Sequence, residues 1–292
     1  MGGRVWSRAL EAHRGGLLEP AALDITAGHD ERLWAERLGG VLLETGSIRL
    51  GGHARVEALP GFDEGAWWVQ DAAAALPARL LGDVKGLAIA DLCASPGGKT
   101  ALLAASGARV TAVELSPERA DRLRSNLARL KLPADIVVAD AKTFGSERTF
   151  DAVLLDAPCS ATGTIRRHPD ILRLRRPSDI ARLAEQQWRL LDRAWRLVRP
   201  GGRLVYATCS LEPEEGEGQI ARLLGSGAPL VREPIVPGEA GIRSAWITAE
   251  GALRTVPSET PGLRMPAGGH ASGQVPPGMD GFYAARVRLA AT

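Results

Sequence analysis

The sequence predicts an α/β fold, a mostly parallel sheet covered by helices on both faces, preceded by a small N-terminal α+β subdomain. Three observations predict it. From about residue 84, short apolar segments alternate with helix-like ones across short links, and strands joined by helices at that rhythm pair in parallel. A glycine turn, Asp91-Leu-Cys-Ala-Ser-Pro-Gly-Gly-Lys-Thr100, stands between the first strand and its helix. Asp91, Glu114, Asp140, Asp156 and Cys209 fall at successive strand ends, where such sheets collect their ligands.

Residues 1–60 read as the small subdomain and 61–292 as the main domain, with Pro60-Gly61 between them. In the first part, Leu33, Trp34 and Leu38 mark a short amphipathic helix that Gly39-Gly40 ends. Strand-like pieces follow near 41–43, 47–50 and 56–59. Arg49, His53 and Arg55 give this part an RNA-facing reading beside that of a packing appendage. Trp67 and Trp68 read as core anchors, leading into an alanine-rich helix over 72–81.

The main domain then runs strand 87–91, the glycine turn, strand 108–113, helix 117–130, strand 135–139 and strand 150–155. Pro117 suits a first helical turn. A long helix spans about 178–198 and is stopped by Pro200-Gly201-Gly202; strand 203–207 and a helix at 214–224 follow. Segments 226–250 and 259–280 are rich in Gly and Pro, the second reading as a surface loop, and 281–289 alternates like a closing strand.

Length and composition narrow the class. A chain of 292 residues holds one large domain or a domain with an appendage. It has no apolar run of about eighteen residues, and its first residues lack the apolar stretch of a secretory signal; a cytoplasmic location is expected. Cysteines occur only at 93, 159 and 209, an odd number at wide spacing that argues against a disulfide framework. No Cys/His spacing suits zinc, so no metal is expected. A net charge of +2 leaves nucleic-acid binding to local clusters.

The glycine turn separates three ligand classes. A nucleotide-triphosphate loop requires a glycine where Cys93 stands, and Ala-Ser-Pro-Gly-Gly is not the Gly-x-Gly-x-x-Gly of a dinucleotide fold. S-adenosyl-L-methionine remains: its amino-acid end suits the turn and helix start, and Glu114 ends the next strand, where ribose hydroxyls need an acid. Asp140 is placed for the adenine amine, and Asp156 for cofactor or substrate.

Cys159 and Cys209 follow neighbouring strand ends. Buried cysteines are often inert, but a thiolate attacking a conjugated ring is a coherent task for one of them. Arg166-Arg-His-Pro-Asp-Ile-Leu-Arg-Leu-Arg-Arg176 is the one strongly basic run. Directly after the Cys159 loop, it reads as phosphate contacts by Arg166, Arg167, His168, Arg173, Arg175 and Arg176.

Together these motifs resemble the RNA (cytosine-5) methyltransferases of the Sun family, most closely the bacterial 16S ribosomal RNA branch. The likeness rests on Asp91-x-Cys-Ala-x-Pro-Gly-Gly-Lys-Thr100, Asp156-Ala-Pro-Cys159-Ser-x-Thr-Gly163, Arg167-His-Pro-Asp170 and Thr208-Cys209-Ser210. It implies a Rossmann-like methyltransferase fold with a seven-stranded sheet. It implies that Cys209 adds to C6 of cytosine, that Cys159 assists release, and that Asp156 holds the cytosine edge. It assigns Cys93, Ala94, Ser95, Pro96, Gly97, Gly98, Lys99, Glu114, Asp140 and Asp156 to the cofactor, with Arg119 also in reach. The target base must be unpaired or flipped, and the two thiols are expected on opposite sides of it.

Three features depart from the family pattern: Ser95 replaces a usual Ala, Glu114 a more common Asp, and no upstream helical domain of the antitermination-factor kind is expected. Either this is a short family member, or its RNA affinity depends on a partner or on pre-assembled ribosomal material. A catalytically idle RNA-binding or assembly factor is the competing class, which retention of both Cys159 and Cys209 disfavours. A similar fold acting on DNA or protein is disfavoured by the basic run and the two cysteine motifs.

Overall fold

A computed structural model of the chain describes residues 21–51, 55–145, 149–257 and 278–291. His53 and most of segment 259–280 lie outside the described residues.

The smaller sheet comprises β1 (Leu23–Ala27), β2 (Val41–Leu42), β3 (Ile48–Leu50) and β4 (Trp67–Val69), antiparallel in the order β2-β3-β1-β4. Helix α1 (Glu31–Arg37) packs Trp34 onto Ile25, Ile48 and the fully buried Trp67. The expected division after residue 60 therefore cuts through this unit, because its fourth strand comes from 67–69. Residues 56–58 form a 3-10 turn, not a strand. Arg49 is buried and holds Asp24 at 2.7 Å, so it is an internal strut and does not face RNA.

The main sheet follows helix α2 (Ala72–Arg79), whose N-terminus Asp71 caps by accepting from Ala73 N. Then come β5 (Ala88–Leu92), α3 (Gly98–Ala105), β6 (Arg109–Glu114), α4 (Pro117–Leu130), β7 (Asp135–Val138) and β8 (Phe150–Asp156). The chain continues through α5 (Ile171–Leu174), α6 (Pro177–Trp195), β9 (Val198–Thr208), α7 (Glu217–Gly225), β10 (Leu230–Arg232), β11 (Leu253–Thr255) and β12 (Phe282–Leu289). Seven strands run in the order β10-β12-β9-β8-β5-β6-β7, and β11 pairs with β12 off that path. The five strands from β9 to β7 are parallel, while β12 is antiparallel to its neighbours.

Strand alternation divides the core into two layers. Ile89, Val110, Ala112, Leu154 and Val205 face α2, α3 and α4; Ala90, Leu92, Val113, Val153 and Leu204 face α6 and α7. Strand β9 begins at Val198 and carries the Pro200-Gly201-Gly202 expected as a helix stop. Its pairing with β8 is irregular between Phe150 and Ala152.

From β5 the chain builds outward through β6 and β7, then crosses to the other side of β5 to form β8. Loops leaving β5 and β8 thus diverge at their carboxyl ends. This opens the crevice in which open α/β sheets bind ligands.

Candidate active site

The glycine turn fills that crevice. Cys93 takes a left-handed φ of 63°, and Gly97, with φ 104°, caps the start of α3. A Cβ on Gly97 would enter the Leu123 side chain, and one on Gly98 would stand 3.3 Å from Gln70 Nε2. Only glycine permits both the conformation and the approach at Gly97. The loop is fixed by its neighbours: Arg119 Nη2 donates to Ser95 O at 3.1 Å and Asn126 Nδ2 to Pro96 O at 2.8 Å. Ser95 N donates to Glu114 Oε2 at 3.3 Å.

A cavity of about 500 Å³ opens over this loop. The Cys93–Lys99 segment, Asp91, Asp156, Arg167 and Cys209 line one part of it; Phe62, Trp68, Gln70 and Arg129 line another. Sequence reasoning missed this second wall, since nothing local links 62–70 to the glycine turn. Glu114 and Asp140 are not in the cavity lining: Glu114 is buried beneath the loop, and Asp140 accepts from Lys142 N at 3.0 Å. Arg119 likewise braces the loop from outside, 3.5 Å from Glu114.

At the deep end Lys99 Nζ donates to Asp156 Oδ2 at 2.7 Å. Burial alone would lower the Lys99 pKa, but the carboxylates of Asp156 and Asp91 outweigh it and raise it, keeping the ammonium charged. Asp91 accepts from Thr100 Oγ1 at 2.6 Å through one oxygen, while its buried Oδ1 has no partner among the described residues. Burial pushes the Asp91 pKa up to about 7, against the hydrogen bond from Thr100 and the charge of Lys99.

The sulfurs of Cys159 and Cys209 are 3.4 Å apart. No ring fits between atoms in van der Waals contact, so the expected placement on opposite sides of a base is corrected: the two sulfurs lie side by side. The hydrogen bond with Cys209, then burial, push the Cys159 thiol well up, so it keeps its proton at neutral pH. The Cys93 thiol is also pushed up, chiefly by burial, and its side chain packs against the core.

The basic run divides. Arg166 is 7% exposed and pairs with Asp71 at 3.4 Å and Asp280 at 3.7 Å; it is a strut, not the expected phosphate contact. Arg167 pairs with Asp280 while lining the cavity. Arg175 Nε donates to Ser160 O at 3.0 Å, holding the Cys159 loop. His168, Arg173 and Arg176 are exposed. Among the described residues no group of His, Cys, Asp and Glu is arranged to hold a metal, and no helix is long and apolar enough to cross a membrane.

A family model described as 16S rRNA methyltransferase RsmB/F matches residues 78–288. The chain belongs to this family. Ribosomal RNA small subunit methyltransferase B of Cronobacter sakazakii is 51% identical over 183 residues, covering 61% of this chain and 43% of that protein. The protein of the same name from Vibrio cholerae is 41% identical over 260 residues, 80% of this chain and 58% of that protein. The chain thus spans about half the length of the curated relatives it matches. Among solved structures, a methyltransferase homologue from Pyrococcus horikoshii aligns with a TM-score of 0.73 at 25% identity, covering 96% of this chain and 89% of that one. NSun6 from Pyrococcus horikoshii, solved with SFG, aligns at 0.66 with 26% identity, covering 82% and 57%.

Family and fold make S-adenosyl-L-methionine the cofactor, and the site fits it. The turn leaves no side chain at Gly97, and the partnerless Asp91 Oδ1 is an acceptor of the kind an ammonium group requires.

Proposed function

We propose that this chain methylates C5 of cytosine in ribosomal RNA through a covalent bond between Cys209 and C6. The observation that carries this reading is the sulfur pair at 3.4 Å, with Cys209 lining the same cavity as Asp156, Lys99 and the glycine turn. Family membership and the names of its relatives supply the ribosomal RNA; a cytoplasmic site of action accords with that substrate.

The Cys93–Lys99 turn would hold the cofactor, with Asp91 for its ammonium and Glu114 and Asp140 at the next strand ends for its nucleoside. When bound, S-adenosyl-L-methionine supplies an electrophilic methyl group on sulfonium. The remaining work is done by side chains. C5 of cytosine is a poor nucleophile, and addition of the Cys209 thiolate at C6 makes it an enamine carbon. Asp156, fixed by Lys99, accepts from the exocyclic amine on the cytosine edge, and the Lys99 ammonium beside it offsets the charge developing at N3. Cys159 and Cys209 share a hydrogen bond. Cys159, in contact with Cys209, is placed to assist loss of the C5 proton as Cys209 leaves. The net change replaces the C5 hydrogen by methyl and releases one proton. The base must leave its stack to reach the sulfurs, so an unpaired or flipped cytosine is the substrate.

Bisulfite sequencing of ribosomal RNA incubated with the protein and cofactor tests this. A protected cytosine appears with the native chain and is absent with Cys209→Ala, whose cofactor affinity stays near native because the change lies on the base side. Full methylation by that variant would remove the proposed nucleophile.

A further inference from the structure

Glu215 is completely buried and, among the described residues, takes part in no ion pair. Burying a carboxylate without a cation is unfavourable unless hydrogen bonds replace its water. Here they come from the two cysteine loops. Oε1 accepts from Ser160 N at 3.0 Å and from Gln187 Nε2 at 2.9 Å. Oε2 accepts from Ser210 Oγ at 2.6 Å and from Ser160 Oγ. Ser160 directly follows Cys159, and Ser210 directly follows Cys209. Gln187 also donates to Pro158 O at 2.9 Å, so the network grips the chain on both sides of Cys159. Glu215 is absent from the cavity lining.

We propose that Glu215 is a positioning residue that ties the Cys159 loop to the Cys209 loop and thereby sets the separation of the two sulfurs. This rests on reading the cysteine pair as the reacting groups. An ordinary buried polar residue would satisfy loop hydroxyls without affecting turnover; a tie between two reacting atoms would not, because small misplacements at a reacting centre cost large factors in rate.

Glutamine preserves the tie: its carbonyl takes the Ser160 amide and Gln187, and its NH2 donates to the two hydroxyls, which rotate to accept. Alanine removes it. The test is the rate of Cys159–Cys209 disulfide formation in the full chain with diamide, followed by mapping the linked peptides. The two thiols give up two electrons and two protons, diamide becomes the hydrazine, and one S–S bond forms. Glu215→Ala is expected to slow this step at least about tenfold, and Glu215→Gln to stay within about threefold of native. Methyl transfer should follow the same order in kcat, with KM for RNA and affinity for S-adenosyl-L-methionine unchanged. Native-rate cross-linking in the Ala variant, or a Gln variant as slow as Ala, overturns the tie. A native chain that cross-links as described but transfers no methyl group overturns the proposed function and leaves the tie standing. If Glu215→Ala does not fold, Ser210→Ala removes one arm and should slow cross-linking at least about threefold; an unchanged rate there also overturns the tie.

Discussion

Asp91 shows how one side chain serves two states of the site. Its pKa is raised by burial to about 7 in the folded chain, against about 3.9 unfolded. Its contribution to stability is therefore full below about pH 4 and is lost as pH rises through about 7. Asparagine keeps an acceptor for Thr100 and does not titrate. Asp91→Asn should accordingly match or trail the native chain in thermal unfolding at pH 4 and exceed it at pH 8, by a difference of a few kcal/mol. Parallel behaviour at both pH values would mean that Asp91 is ionised throughout. The second oxygen, buried and without a partner among the described residues, is the one proposed for the cofactor's ammonium.

At the scale of elements, the glycine turn and the basic segment give opposite lessons. The turn is local, and its residues, spacing and flanking strand and helix were legible because Gly97 must take φ 104° where no Cβ fits. Gly97→Ala should destabilise the chain by about 1–3 kcal/mol and weaken cofactor binding, measured by thermal unfolding and calorimetry. The basic segment was legible as charge but not as geometry. Arg166 and Arg173 look alike in sequence, yet Arg166 meets Asp71 and Asp280, which lie far away along the chain. Arg166→Ala leaves buried Asp71 without its cation while Asp280 keeps Arg167, and should cost about 3–5 kcal/mol. Arg173→Ala with Arg176→Ala should change stability by less than about 0.5 kcal/mol. If both touch single-stranded phosphates, that double variant lowers the slope of log K for RNA against log salt by about 1.4. The reverse pattern would return Arg166 to the RNA surface.

For the whole molecule, sheet order does the assembling. Strands β5 and β8 are neighbours although 57 residues separate Lys99 from Asp156, and β8 beside β9 brings Cys159 to Cys209 across 50 residues. The alternating strands and helices made this sheet legible, because parallel pairing follows from the rhythm of apolar segments. The smaller sheet was less so. Leu23–Ala27 is a short strand with no flanking pattern, and Trp67–Val69 pairs with it across the Pro60-Gly61 break that reads as a boundary. Its position made the second wall of the cavity invisible in sequence, since Phe62 and Trp68 meet the glycine turn only after both sheets have formed.

The central claim is that Cys209 bonds to the base and Cys159 lets it go. Cys159→Ala incubated with S-adenosyl-L-methionine and ribosomal RNA is the direct measurement, read on a denaturing gel and by mass mapping of the retained nucleotide. A stable protein–RNA adduct mapped to Cys209 is the expected result. Clean turnover without adduct, or a nucleotide attached at another residue, would contradict it.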